Sequence, residues 1–154
     1  MKEFPHRYVV TAHSTTTGDV RLAGERLPDL ASASPAEFGG PGDRWSPETL
    51  LVATVGDCFV LTFRAVAAAS KLAWTSLSCS VTGTLDRIER VPQFTTFEVR
   101  AELQLAPGAD AELARRVVDK AERNCLVSNS LKASVHVVST ITIASEPLRA
   151  LASV

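Results

Sequence analysis

The most restrictive feature of this chain is a segment that announces a helix and then leaves it almost no polar face. Ser46-Pro47-Glu48 has the chemistry of a helix start. Ser46 can accept from an orphan amide, Pro47 lacks only an N–H that the first position does not use, and Glu48 meets the positive end of the dipole. The run that follows, Thr49 to about Leu72, carries Leu50, Leu51, Val52, Val55, Phe59, Val60, Leu61, Phe63 and Val66. A helix apolar nearly all round belongs inside a core or a membrane. Asp57 and Arg64 stand in its middle, where lipid would penalise each of them by several kcal/mol. The expectation is a buried central helix and no membrane span.

On either side of that helix the pattern is β. Short β-prone runs, His6 to Ala12 and Asp19 to Ala23, flank Thr15-Thr16-Thr17-Gly18 and predict a hairpin. Pro28 to Trp45 is rich in proline and glycine and reads as loop, with room for a short strand before Pro35. After the helix, Thr75 to Glu89 and Gln93 to Ala106 predict a long antiparallel hairpin joined by Arg90-Val91-Pro92, with clear alternation from Phe97 to Leu105. Gly108 and Asp110 open an amphipathic helix from Ala111 to about Arg123, and Val135 to Ala144 reads as a last strand. The order ββ–α–ββ–α–β predicts an α+β fold rather than a doubly wound sheet.

The 154 residues fit one domain, residues 1–154, with a sizeable core. Hydrophobic residues at 45% and charged residues at 21% exclude general disorder. A formal charge of −1 gives no basic footprint for nucleic acid or an anionic membrane surface. Met1 to His13 lacks the apolar stretch of a signal peptide, so the expected location is the cytoplasm, where structural disulfides are rare.

Three cysteines then need another explanation. There is no CxxC and no Cys/His cluster, so neither a metal nor a cofactor is expected. Cys79, in Ser78-Cys79-Ser80, reads as strand packing. Cys58 lies in the apolar helix and Cys125 at the end of the amphipathic one. Two readings stay open for them: buried packing thiols, or a redox pair in which one thiolate attacks a peroxide bond and a second thiol traps the sulfenic acid. The second reading needs their Cα atoms within about 7 Å, which only the fold can arrange.

Two stretches resemble motifs of the OsmC/Ohr family. One is Ser46-Pro47-Glu48-Thr49-Leu50-Leu51 followed by Asp57-Cys58-Phe59; the other is Ala121-Glu122-Arg123-Asn124-Cys125-Leu126-Val127-Ser128 followed by Asn129-Ser130-Leu131. In that family a Pro-Glu pair starts a helix, a peroxidatic cysteine follows the Glu by ten residues, and a resolving cysteine precedes a Ser-containing turn. Cys58 follows Glu48 by ten residues, and the order of elements agrees from about His6 to Ala144. The resemblance implies antiparallel sheets around the central helix and an intertwined homodimer with active sites at the subunit interface. It also implies reduction of organic hydroperoxides, with a dithiol such as a lipoyl group as reductant. By position, Cys58 would be peroxidatic, Cys125 resolving and Glu48 a polar partner in the site. The family also sets an arginine on the thiolate; Arg21 in the first hairpin is the candidate and Arg44 in the loop its rival.

Helix geometry adds a constraint of its own. Ten residues place Glu48 about 15 Å from Cys58 along a straight helix, well off a common face. Two copies packed antiparallel would bring Glu48 of one beside Cys58 of the other, crossing near Ala53, with Gly56 also permitting close approach. His6, His13 and His136 read as surface or packing residues, and Ser128 and Ser130 as turn-capping residues. Trp45 and Phe38 are candidates to line an apolar pocket. Two other functions fit the same fold: a redox-sensing or small-molecule-binding protein with little turnover, and a structural dimer whose cysteines only pack.

Overall fold

The computed structural model describes residues 3–145. The expected α+β architecture is present, as two three-stranded sheets and two α-helices. The chain divides into two compact units, Met1–Leu51 and Val52–Val154.

In the first unit, β1 (Thr11–His13), β2 (Val20–Ala23) and β3 (Leu30–Ser32) form an antiparallel sheet in that order. The hairpin over Thr15–Gly18 and the strand before Pro35 are both found. β1 begins later than the expected His6 because β2 offers partners only to Thr11, Ala12 and His13. Phe4, Tyr8, Val9 and Val10 consequently stand exposed, Tyr8 at 91%. At the end of β3, Ser32 bridges Trp45, and the Ala33 N–H donates to the Trp45 carbonyl at 2.8 Å. That tie fixes the entry to the central helix, α1 (Pro47–Ala69). Ser46 is buried there in a reciprocal cap: the Thr49 N–H donates to Ser46 Oγ at 3.2 Å, and the Ser46 N–H donates to Thr49 Oγ1 at 2.8 Å.

The second unit holds β4 (Trp74–Ile88), β5 (Val91–Leu105), α2 (Ala111–Asn124) and β6 (Ser134–Ile143). The alternation read from Phe97 to Leu105 is real. Phe97, Val99, Ala101, Leu103 and Leu105 are buried, with Arg100, Glu102 and Gln104 exposed between them. α1 lies on this inner face at the closest distance glycine allows. A Cβ at Gly83 would stand 2.7 Å from Val52 Cγ2, and one at Gly56 2.9 Å from Val81 Cγ2. Gly56 therefore serves close packing inside the chain. α2 starts on Asp110, whose carboxylate accepts from the Glu112 and Leu113 amides, and it buries Ala114, Val117, Val118 and Ala121.

Two expectations are corrected here. The long hairpin turns through Glu89 and Arg90, both at positive φ (50° and 73°), while Pro92 already pairs with Arg87 inside the ladder. Two successive positive φ values suit a two-residue turn whose twist matches the strands. Pro92 is tolerated because β6 pairs with β5 only from Thr96 onward, so no second neighbour needs the missing N–H. The second sheet is also mixed: β4 and β5 are antiparallel, but β6 joins β5 in parallel through the α2 crossover. The tail after Pro147 lies outside the described residues.

α1 is less covered in one chain than its composition predicts. Val55, Gly56, Phe59, Phe63, Val66 and Ala67 form the buried stripe. Ala53, Asp57, Leu61, Ala65 and Ala68 are exposed along the other side. The helix is long and apolar enough to cross a membrane by length and composition, and only 28% of its most apolar window is buried.

Candidate functional site

The second unit brings the two candidate thiols together. Cys58 sits half-buried on the flank of α1, between the covered and the open stripe. Cys125 is the residue that ends α2, 1% exposed, its N–H donating to the Glu122 carbonyl at 3.3 Å. Beyond it the chain curls into a short 3-10 turn, Ser128–Ser130. The Asn129 N–H returns to the Cys125 carbonyl at 3.0 Å, and the Asn129 side chain donates to the Arg123 carbonyl at 3.1 Å. The turn therefore also closes the carbonyl end of α2, and its amides face the sulfurs.

Hydrogen bonds make the two sulfurs unequal. Burial pushes the Cys58 thiol up, but the Val127 N–H, the Cys125 thiol, the Thr62 hydroxyl and the Leu126 N–H together bring it below the ordinary thiol range. Each of those donors is neutral. Cys125 moves the other way. Burial raises it most, the hydroxyl and N–H of Ser128 oppose burial, and the neighbouring Cys58 sulfur raises it further. The two thiols thus act on each other in opposite senses, favouring ionisation at Cys58 and opposing it at Cys125. A thiol whose ionisation is favoured by amide and hydroxyl donors, beside a second thiol whose ionisation is opposed, suits nucleophilic attack by the first and disulfide closure by the second.

Cys79 has no such surroundings. It faces Ala101 across the ladder on the apolar side, and burial alone pushes it up to about 11. The packing role read from its sequence agrees with that environment.

The other candidates lie in the first unit. Glu48 occupies the first turn of α1, and its Oε2 is buried with no hydrogen-bond partner among the described residues. Leaving such an atom unsatisfied costs about 1–3 kcal/mol. Arg21 donates to Asp29 at 2.9 Å from β2, and Arg44 donates to Asp19 at 2.9 Å and meets Asp43 at 3.1 Å. Both arginines are thus engaged with carboxylates of their own unit. Trp45 and Phe38 line two separate grooves. That of Trp45, about 540 Å³, runs between Leu30 and Thr49; that of Phe38, about 430 Å³, borders Gly39, Gly40 and Asp19.

Two functional contacts escaped the sequence reading. Thr62 lies one turn after Cys58, so the i, i+4 rule placed it on the same helix face. Ser130 holds the turn, its hydroxyl donating to the Leu126 carbonyl at 2.8 Å, while the hydroxyl and N–H of Ser128 act on Cys125. Among the described residues no three His, Cys, Asp or Glu side chains converge to hold a metal.

Comparison with known proteins adds family to geometry. The family model described as OsmC-like protein matches residues 40–140. An uncharacterized protein of Acinetobacter baylyi is 31% identical over 132 residues, covering 84% of this chain and 90% of the relative. The uncharacterized protein YmaD of Bacillus subtilis is 26% identical over 104 residues, covering 66% and 69%. Among solved structures, an OsmC-like protein of unknown function from Vibrio cholerae has a TM-score of 0.82 at 13% identity, covering 88% of this chain and 100% of that one, a likeness of fold alone. An organic hydroperoxide resistance protein, OsmC, from Legionella pneumophila has a TM-score of 0.68 at 26% identity, covering 91% and 99%.

Proposed function

From the premise that this chain belongs to the OsmC family, we propose that it is a thiol peroxidase that reduces organic hydroperoxides through Cys58 and Cys125. The Cys58 thiolate attacks the peroxide O–O bond, the alcohol departs, and Cys58 is left as a sulfenic acid. Cys125 then attacks the Cys58 sulfur, the S–O bond breaks, water leaves and a disulfide forms. An external dithiol, such as a lipoyl group, restores both thiols by exchange. What supports this reading most is the coupling of the two thiols, in which the Val127 N–H, the Cys125 thiol, the Thr62 hydroxyl and the Leu126 N–H lower Cys58 against its burial while the Cys58 sulfur raises Cys125.

The working unit in this reading is a cytoplasmic homodimer. Two features support a second copy: the open apolar side of α1, and the uncovered Phe4, Tyr8, Val9 and Val10. In the dimer Glu48 of one chain approaches Cys58 of the other, which also gives its orphan oxygen surroundings to bond with. Arg21 is the candidate cation for that composite site, after exchange of its Asp29 partner.

The deciding experiment follows peroxide consumption with cumene hydroperoxide and with hydrogen peroxide, using dihydrolipoamide as reductant. Cys58→Ser should abolish turnover, and Cys125→Ser should permit one oxidation of Cys58 and then stall or over-oxidise. Undiminished consumption by Cys58→Ser overturns the mechanism. A second reading, a redox sensor or small-molecule binder, draws on the engagement of Arg21 and Arg44 with carboxylates, which leaves Cys58 held by neutral donors. Peroxide loss that stops at one equivalent per site despite excess dithiol would favour it.

A further inference from the structure

We propose that Glu122 is a positioning residue for Cys125: its carboxylate accepts the Val137 N–H at 3.1 Å and so pins the last turn of α2 to β6. The consequence for the two thiols rests on the Cys58–Cys125 pairing proposed above; the pin itself rests on the geometry of α2 and β6.

Cys125 stands where a helix is least secure. The last turn leaves carbonyls without intrahelical partners and is the first to fray. Cys125 is the residue just past it, already extended at φ −68° and ψ 110°. Most bonds around it stay within the segment. The Cys125 N–H goes to the Glu122 carbonyl at 3.3 Å, the Asn124 side chain to the Lys120 carbonyl at 2.8 Å, and the Asn129 side chain to the Arg123 carbonyl at 3.1 Å. These bonds shape the end of the helix, but they do not locate it against the sheet. Burial of Ala114, Val117, Val118 and Ala121 holds α2 down, yet burial is non-directional. The Glu122 bond is directional and ends on a backbone atom of the sheet. β6 is an edge of that sheet, so its outward amides are open to such a partner. Val137 is in register with the buried Val99, which sets the pin in the body of the ladder.

The residue type points the same way. A carboxylate in the last turn of a helix meets the negative end of the dipole, which disfavours it. Glu122 nevertheless stands there half-buried, three residues or about 4.5 Å along the axis before Cys125. Hydrogen bonds to a charged acceptor are the stronger ones, and this one offsets the unfavourable position. Glu122 thus grips β6 with its side chain and the Cys125 backbone with its carbonyl. A disulfide tolerates only a narrow range of Cα and Cβ placements. Freeing the last turn would therefore lower the effective concentration of Cys125 at Cys58.

The test is the exchange equilibrium of the protein with mixtures of lipoamide and dihydrolipoamide. In it the lipoamide S–S bond breaks, the Cys58–Cys125 bond forms, and both thiol protons end on dihydrolipoamide. Acid-trapped species are counted by mass spectrometry, and urea midpoints are measured alongside. Glu122→Ala should shift the equilibrium toward the protein dithiol by about tenfold, the order expected for one lost bond to a charged group. Glu122→Asp, one methylene too short to reach Val137, should shift it in the same direction, and serves if the alanine variant fails to fold. Glu122→Gln keeps an acceptor oxygen and should retain the wild-type constant. Asp110→Ala removes the cap at the other end of α2; it should lower the urea midpoint and leave the constant unchanged. A wild-type constant in Glu122→Ala or Glu122→Asp, an equal displacement by Asp110→Ala, or a glutamine variant that behaves as the alanine one overturns the proposal. The exchange needs no peroxide. A wild type that forms the disulfide but ignores hydroperoxides sinks the peroxidase reading alone, and one that forms no disulfide sinks both.

Discussion

Cys58 and Cys125, distant along the chain, act on each other's ionisation: the Cys125 thiol lowers that of Cys58, and the Cys58 sulfur raises that of Cys125. That coupling sets an order of ionisation. Cys58 loses its proton below the ordinary thiol value, Cys125 above it, and Cys79 only at about 11. For an acid whose pKa is lowered, the anion persists as pH falls below the point where a free thiol, near 8.5, has already reprotonated. Alkylation by iodoacetamide, resolved by peptide mass spectrometry across pH, should label Cys58 first and Cys79 last. Labelling of Cys79 at or before the pH that labels Cys58 contradicts this assignment.

Thr62 supplies the side-chain donor to Cys58 from the same helix. Thr62→Val keeps the shape and the β-branch but removes the hydroxyl. The Cys58 ionisation should move to higher pH, because one of the groups that favours the anion is lost. Thr62→Ser should retain the wild-type value. Equal titration curves for Thr62→Val and wild type would remove Thr62 from the site.

What the residues announced in advance depended on how local the governing physics was. Ser46-Pro47-Glu48 starts α1 because capping is settled within four residues. The alternation of Phe97 to Leu105 survives because each side chain needs only its own strand to know its face. The parallel pairing of β6 was not legible: a ladder partner is chosen by the crossover, and Ser134–Ile143 alternates as well for either direction. In the site, both thiols could be singled out, but their contact depends on the curl from Cys125 to Ser130. The Leu126 and Val127 amides have no side-chain signature at all. Ser128 and Ser130 look alike in sequence, and only the turn's hydrogen bonds give one to a carbonyl and the other to a sulfur.

The Glu89-Arg90 turn was illegible for a chemical reason that can be tested. Both residues hold positive φ, a conformation that Asn and Gly adopt far more readily than Glu and Arg. Replacing the pair by Asn-Gly should raise stability by about 0.5–1 kcal/mol, through relief of that conformation at an exposed site. Urea unfolding should show a higher midpoint with an unchanged slope. A lower midpoint would show that the turn is held by the side chains of Glu89 and Arg90 instead.

The proposed composite site makes the strongest demand on assembly. Glu48 and Cys58 are about 15 Å apart along one helix, so a Glu48 that helps Cys58 must come from another copy. Ala53 lies midway between them and is exposed in the single chain. Ala53→Arg puts a long charged side chain at the crossing without touching the buried stripe of Val55, Phe59 and Phe63. The variant should therefore fold, keep the circular dichroism of the parent, and sediment as a monomer. Its peroxide turnover should fall by about a hundredfold, the scale of a misplaced catalytic group. A monomeric Ala53→Arg that reduces hydroperoxide at the parent rate would mean that each chain carries a complete site, and that the open side of α1 serves some other contact.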